Sequence, residues 1–402
     1  MTSRFSHLTS AIKLRHPEAE KTRHATWTEL FYDLVYVIAI AQLGHSLSQE
    51  MTIIGVLKFA ALFIPIWRVW VHHTYYADRF DPDDSIHRLL TFGQMMAIAI
   101  LAAGVHDGLG HTSGQYALAL VVVRVLLIGM YWRARDIPES QTLVNRLILI
   151  LTIGAGLWFV SLFVPTPWRF GVWVIALVSE IALSYMPSTR AIFAAVPVSH
   201  THVPERFGLF TIIFLGESIA GMVAGLEGHD FEVVPYTNAV LGFLMTFSLW
   251  WLYFGNLKET ALRRLGVFSG TWIYVHLPFM AGLATLGVAV DHVIASGAEH
   301  GMEASTVYLL VGSLAVVFLA LAKLHLILAQ FEEKPHNRPQ ANWRMVSAGI
   351  AVAAGVVIVQ QHGGPLLLLG LMAGLTLVQV AGDMFVHVVP VSEDPDESFP
   401  FT

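Results

Sequence analysis

Cysteine is absent from the 402 residues, which removes disulfides, thiolate metal sites and thiol nucleophiles at once. Charge is scarce too: Asp, Glu, Lys and Arg make up 13% of the chain, where a soluble domain carries about 25%. The net charge of −6 is small for this length and no basic block is present, so no nucleic-acid partner is expected. No HExxH, Walker A, GxGxxG or GxSxG pattern stands in a usable context, and no cofactor or metal is expected. The 19 histidines show no tight ligand spacing, and His200-Thr201-His202 reads as a short loop with no obvious carboxylate geometry. The first 26 residues have no apolar h-region, so a cleaved signal peptide is not expected.

What is abundant is apolar surface. Hydrophobic residues are 55% of the chain and the mean hydropathy is +0.62. Runs such as Leu314 to Ala322 and Leu366 to Leu377 are apolar on nearly all sides, as helices in lipid or inside a bundle are. Spans are expected near 30–48, 53–73, 88–106, 115–133, 146–164, 168–186, 207–226, 236–255, 270–290, 306–328, 345–361 and 365–388. The 345–361 segment is close to the lower length limit. Asp81-Pro82-Asp83-Asp84, Pro165-Thr166-Pro167, Met186-Pro187-Ser188 and Gly363-Gly364-Pro365 mark turns between them. The fold class expected is all-α integral membrane, with twelve transmembrane helices arranged as two parallel six-helix repeats.

Basic residues orient these spans. With a cytoplasmic N-terminus, the arm contributes Arg4, Lys13, Arg15, Lys21 and Arg23 to that side. The cytoplasmic loops and span ends add Arg79, Arg88, Arg133, Arg135, Arg146, Arg190, Arg206, Lys258, Arg263, Arg264, Lys334, Arg338 and Arg344, eighteen in all. The outer side holds Arg169 alone, and Lys58, Arg68, Arg124 and Lys323 fall within spans. A miscounted span would scramble that asymmetry downstream, so the positive-inside rule supports twelve spans with both termini in the cytoplasm.

The two halves look related. Each second span is Trp-rich (Trp67, Trp70; Trp250, Trp251), and the third spans end in Val105-His106-Asp107 and Val290-Asp291-His292. Asn145-Arg146 and Asn342-Trp343-Arg344 open the fifth and eleventh spans. Val178-Ser179-Glu180-Ile181-Ala182 resembles Leu377-Val378-Gln379-Val380-Ala381. An even number of spans per half gives parallel halves related by an axis along the membrane normal. The expected organisation is a cytoplasmic arm at 1–26, a first repeat at 27–190, a linker at 191–206, a second repeat at 207–389 and an acidic cytoplasmic tail at 390–402.

Charged residues inside a bilayer cost about 2.5–3.5 kcal/mol at the centre of a span, so they face the bundle or a wet cavity. Glu217, in Leu215-Gly216-Glu217-Ser218, is expected near the midplane. It reads as a proton- or cation-binding carboxylate or as a structural acid paired across helices. Gly216, Gly221 and Gly225 would admit a neighbouring helix. Glu29 and Asp33 share one face of span one, where the helix dipole alone would favour them, and Gln42 and His45 lie deeper on that span. His276 precedes Pro278 in span nine and reads either as a relay or as a core histidine with satisfied hydrogen bonds. Glu180 and Asp383 sit in the last span of each half and either could be a paired structural acid, with Arg124 a candidate partner for one of the buried acids. Trp27, Trp67, Trp70, Trp168 and Trp272 read as interfacial anchors.

Trp27-Thr28-Glu29-Leu30-Phe31-Tyr32-Asp33-Leu34-Val35-Tyr36-Val37 with Gln42-Leu43 resembles the opening motif of the bacterial low-temperature-requirement protein A family. His202-Val203-Pro204-Glu205-Arg206-Phe207-Gly208-Leu209-Phe210, continuing into Leu215-Gly216-Glu217-Ser218, matches it as well. The Phe80-Asp81-Pro82-Asp83-Asp84 turn with Arg88, and His276-Leu277-Pro278, also fit, so the likeness spans nearly the whole chain. It implies a multi-pass protein of the bacterial inner membrane, linked by the family's name to growth in the cold. A weaker similarity joins Phe31-Tyr32-Asp33 to the first-helix Phe-Ser-Asp motif of the endolysosomal potassium/proton channel family, with Tyr32 in place of Ser.

The function expected is therefore transport or channelling of a small solute or ion, with proton coupling or gating. Glu217 is expected as the central carboxylate and His276 as its neighbour, with Glu29, Asp33 and Gln42 as cytoplasmic-side lining. Glu180 and Asp383 are expected along the path, and Glu205, Arg206 and Gly216 as motif residues. A non-transporting sensor or scaffold and an intramembrane enzyme acting on lipid remain as alternatives. The partners expected are the lipid bilayer and a small solute or ion, with a homodimer left open.

Overall fold

A computed structural model describes residues 12–15, 24–80, 84–255, 269–296, 302–330 and 337–388. Most of the 1–26 arm, the turn residues 81–83, and the 390–402 tail lie outside them.

The described residues are helical and contain no strand. The first half runs through α1 (Trp27–Gln49), α2 (Ile53–Arg79), α3 (Ser85–Gly104), α4 (Ser113–Arg133), α5 (Gln141–Ser161), α6 (Trp168–Tyr185) and the short α7 (Pro187–Ala195). The second runs through α8 (His202–Ala224), α9 (Val233–Phe254), α10 (Ser269–Ala295), α11 (Ala304–Leu328), α12 (Asn337–Gln360) and α13 (Pro365–Val388). All except α7 are long and apolar enough to cross a bilayer, which makes twelve. This is a polytopic membrane protein.

Local chemistry sets the helix starts. Thr26 and Glu29 form a reciprocal capping box at α1, Thr26 accepting from the Glu29 N–H at 3.3 Å and Glu29 from the Thr26 N–H at 2.7 Å. Asp84 caps α3 through the His87 N–H at 2.7 Å, and Ser199 takes the N–H groups of Thr201 and His202 at the start of α8. Three helices begin at least five residues earlier than the hydropathy pattern implies, α5 among them at Gln141. α8 starts at His202 and α12 at Asn337, because Pro204 and Pro339 fall in the first turn, where a missing N–H leaves no helical bond unmade. The expected linker 191–206 is thus largely helical, and the apparently short eleventh span has 24 residues.

Neighbour order is the same through most of each half. α1 packs on α2 and α3, α3 on α4, α4 on α5 and α5 on α6; α8 packs on α9 and α10, α10 on α11, α11 on α12 and α12 on α13. The halves differ in that α13 also packs broadly on α9, whereas α6 stays largely exposed at the periphery. The seam between them is made by α1 and α2 against α8 and α10.

Tryptophans depart from the anchoring expectation at three positions. Trp27 and Trp168 are exposed, but Trp67, Trp70 and Trp272 are buried. They lie on the inward faces of α2 and α10, where a large ring fills the seam more effectively than a small residue. Arg206 and Arg344, counted among the cytoplasmic cations, are also fully buried, because each is neutralised by a carboxylate from a neighbouring helix.

Candidate functional site

The bundle has a near end, where α1 begins, and a far end, where α1 stops. Near the near end, α1, α2 and α8 meet around a buried charge network. Arg206 reaches Glu29 at 3.0 Å and Asp33 at 2.5 Å. His202 lies between Asp78 (3.0 Å) and Glu29 (3.1 Å), and the Trp70 indole donates to Asp33 at 2.7 Å. The Ser199 N–H donates to Asp78 at 2.9 Å. Glu29 and Asp33 do share one face of α1, as their spacing implies, and that face meets α8. Expected as lining, they are ion-paired cross-links between the halves. His202, taken for a loop residue without carboxylate geometry, is buried between two carboxylates. Pro204 carries α8 back far enough to bring it there.

Glu180 and Asp383 sit in separate pairs. Arg124 holds Glu180 at 2.9 Å, with the Arg68 guanidinium 3.7 Å away on its other side. Arg344 holds Asp383 at 2.8 Å and donates to Gln379 at 3.1 Å. Neither acid lines either of the two cavities described below. The expectation that Arg124 partners a buried acid matches this geometry.

Glu217 occupies a different environment. It lines a cavity of about 180 Å³ at the far end of the seam, bounded by α1, α8 and α10. Asp291, His45, Ser48 and Ser218 share that lining, and no Lys or Arg does. Glu217 is half-buried, and among the described residues neither Glu217 nor Asp291 makes a hydrogen bond or ion pair. Glycines bring the helices together here. A Cβ on Gly221 would touch Asp291 Cβ at 3.5 Å, one on Gly225 would meet the Asp291 carbonyl at 2.8 Å, and one on Gly287 would meet Ser218 Oγ at 2.7 Å. Gly216, expected to contribute, faces open space. With α8 starting at His202, Glu217 lies four residues past the helix midpoint, roughly 6 Å towards the far end at 1.5 Å per residue.

Two expected neighbours are elsewhere. His276 is fully buried, its Nδ1 donating to the Trp272 carbonyl at 2.9 Å and its Nε2 accepting from the Tyr253 hydroxyl at 3.0 Å. Both ring nitrogens are engaged, and the residue lies towards the near end of α10, outside the Glu217 cavity. Gln42 is exposed in the far half of α1 and lines neither cavity. Glu205, also singled out by its motif, is partly exposed at the near end and 3.2 Å from His24. Asp291 was legible only as part of a repeated tripeptide; its spacing of four from Gly287 on an apolar helix was the signal for a packed, cavity-facing acid.

A second cavity, of about 410 Å³, opens at the near end of the same seam. Arg68, His72, Tyr75 and Arg79 of α2 line it, with Arg190, the α7–α8 connection and the start of α10. The two cavities share no residue. Between them runs a chain of ring contacts: Phe214 to Phe210 (4.9 Å), Phe210 to Trp70 (4.2 Å, stacked), Trp70 to Phe207 (4.9 Å) and Phe207 to Trp272 (5.4 Å). Phe214 lines the far cavity and Trp272 the near one.

The sequence of this bundle matches the family model described as "Bacterial low temperature requirement A protein (LtrA)" over residues 24–385. The chain belongs to the LtrA family. That match takes in all twelve spans and every motif residue from Glu29 to Asp383. Similarity also extends to protein RA0937 of Rhizobium meliloti (strain 1021), 29% identical over 308 residues, covering 72% of this LtrA chain and 74% of that protein.

Proposed function

We propose that this LtrA-family protein is a proton-coupled transporter or channel for a small solute or ion, with its path along the seam between the two halves. The observation that carries the reading is the pair of cavities entering that seam from opposite ends, with an aromatic layer between them. A scaffold gains nothing from a carboxylate-lined cavity, because two half-buried acids with no ion-pair partner among the described residues cost stability without contributing packing. Glu217 and Asp291 are the residues at which a proton or cation would bind, and His45 is the neighbouring imidazole. The network of Glu29, Asp33, Asp78, His202 and Arg206 holds the two halves together at the near end.

In this reading the protein lies in the bacterial inner membrane with both termini in the cytoplasm, so the Glu217 cavity faces outward. Reporters fused after Thr402 should be cytoplasmic, and one inserted at Gly228 should be outside; a cytoplasmic Gly228 would reverse the assignment. The matching neighbour order of the halves supports tandem repeats related by rotation about the membrane normal. The family description adds a requirement at low temperature, and we read the transported species as one needed for growth in the cold.

The direct test is Glu217→Gln in reconstituted vesicles. The variant keeps shape and hydrogen bonding but cannot ionise, so pH-dependent flux should fall at least about tenfold if the carboxyl carries the coupled proton. Equal flux at two pH values, with equal protein inserted, would reduce Glu217 to a structural group.

A further inference from the structure

The near-end cavity carries charge of one sign on a wall that is mostly apolar, with Ser184, Ser199, His200 and Thr271 among its neutral polar members. Arg68, His72, Tyr75 and Arg79 recur at spacings of four, three and four along α2, which puts them on one face. The stripe runs over twelve residues, Arg68 to Arg79, and the eleven steps between them are roughly 16 Å of helix. Opposite it stand Phe193, Val198, Val203, Trp272 and Ile273, and among the described residues no acidic side chain lines the space.

Charge bookkeeping at the deep end leaves a cation over. Among the described residues Glu180 is the one carboxylate within 4 Å of Arg68, at 3.7 Å, and Arg124 holds the same carboxylate more closely at 2.9 Å. Two guanidiniums thus share one acid in a buried site. Arg68 bonds the Tyr274 hydroxyl and, at 3.0 Å, His72 Nε2, yet its Nε has no hydrogen-bond partner, and neither has His72 Nδ1. Both residues are almost fully buried, at 2% and 4% exposure. An uncompensated buried guanidinium is costly unless an anion joins it. Nearer the mouth, the Arg79 side chain is bonded to the backbone carbonyls of Val196 and Tyr75, and Arg190 is exposed with no ion pair among the described residues. Two cations at an entrance raise the local concentration of an anion and steer it inward.

We infer that this cavity binds a small organic anion with an apolar body. Its carboxylate or phosphate meets Arg68 and His72 at the deep end, and its hydrocarbon or aromatic part lies against Trp272, Phe193 and Val203. The volume of 410 Å³ falls in the range of roughly 300–1,000 Å³ usual for small-molecule sites. An inorganic anion would leave the apolar wall uncovered, and a neutral apolar molecule would leave the Arg68 charge unanswered. The inference deepens the transport reading by naming a substrate class, but binding itself does not depend on flux.

The test is calorimetric titration of the purified full chain, in a non-ionic detergent, with 1-naphthoate. The comparison arms are 1-naphthalenemethanol, which keeps the rings without the charge, and acetate, which keeps the charge without the rings. Naphthoate should bind saturably, with each comparison compound roughly tenfold weaker or more, since one charge-assisted hydrogen bond alone is worth about that factor. Arg68→Gln should weaken naphthoate at least about tenfold. Arg190→Gln should weaken it less and reduce its salt dependence. Because Arg68→Gln puts the fold at risk by removing a buried group, Ala194→Trp serves as the second variant: it fills the cavity from an exposed lining position and should abolish binding. Equal affinity for the alcohol, equal affinity for acetate, or unchanged binding in a folded Arg68→Gln or Ala194→Trp protein would overturn the proposal. Naphthoate binding without naphthoate uptake in vesicles would leave the site standing and remove the transport reading instead.

Discussion

Two groups of carboxylates lie in the same seam and are treated in opposite ways. At the near end Glu29, Asp33 and Asp78 are buried at 5% exposure or less, and Arg206, His202, Trp70 and backbone N–H groups are set against them. At the far end Glu217 and Asp291 share a cavity with two serines and a histidine, and among the described residues no Lys or Arg lines it. A charge paired with an opposite charge from another helix is a fastener even where single atoms such as Asp33 Oδ2 and Arg206 Nε lack a hydrogen bond: several helices fix its place, and moving it breaks several contacts together. An unanswered charge at a cavity wall is available to whatever enters. Burial alone does not separate the two roles; the count of opposite charges within reach does.

Removing Arg206 should give the largest effect. Arg206→Met leaves Glu29 and Asp33 buried without their common cation, and breaking a buried pair from one side costs about 3–5 kcal/mol. The variant should elute as aggregate, or unfold at much lower denaturant than wild type. A folded, monodisperse Arg206→Met protein would remove the distinction between fastener and free charge.

Gly154→Ala should come next. A Cβ on Gly154 would overlap the Glu180 carboxylate, its Oε1 most of all, so the Arg124–Glu180 pair must shift. Overpacking of this kind costs about 1–3 kcal/mol, read as a lowered unfolding midpoint. An unchanged midpoint would mean that α5 and α6 are loosely packed there.

Glu217→Gln should change stability by less than about 1 kcal/mol, because no partner is left unpaired, although its flux should fall. A loss as large as that of Arg206→Met would reveal a partner for Glu217 and collapse the comparison. Smallest of all, Arg190→Gln should stay within about 0.5 kcal/mol of wild type, as exposed substitutions do, and thermal unfolding in detergent checks it.

The fold is the more legible part of the sequence, because in a bilayer every span must be predominantly apolar over about 20 residues and every backbone group satisfied within the protein. Twelve spans follow from hydropathy and turn residues, whereas the starts of α5, α8 and α12 do not, because polar first turns dilute the apolar signal. The site was less legible. Spacing within one helix placed Glu29 beside Asp33, and the rarity of membrane charges pointed to Glu217 and to a partner for Arg124. Which helix faces which is long-range information that one sequence does not carry. So His276 was set beside Glu217, although Tyr253 and Trp272 hold it elsewhere, while Asp291 was read only as a repeat marker. The α2 stripe has a helical period, but Arg79 falls among the loop cations and Arg68 within a span, so neither by itself points to a common face with His72 and Tyr75.

The ring layer from Phe214 to Trp272 also has an electrical meaning. Water in a cavity conducts, so a cavity entering from each face shortens the insulating part of the membrane to the thickness of the rings between them. Across that thin layer an applied potential would fall almost entirely, and a unit charge crossing it would exchange about 2.3 kcal/mol with the field per 100 mV. Trp70 stands in this layer and also donates to Asp33. The most steeply graded field in the molecule would therefore lie against the side chain that ties the aromatic barrier to the charge network joining its halves.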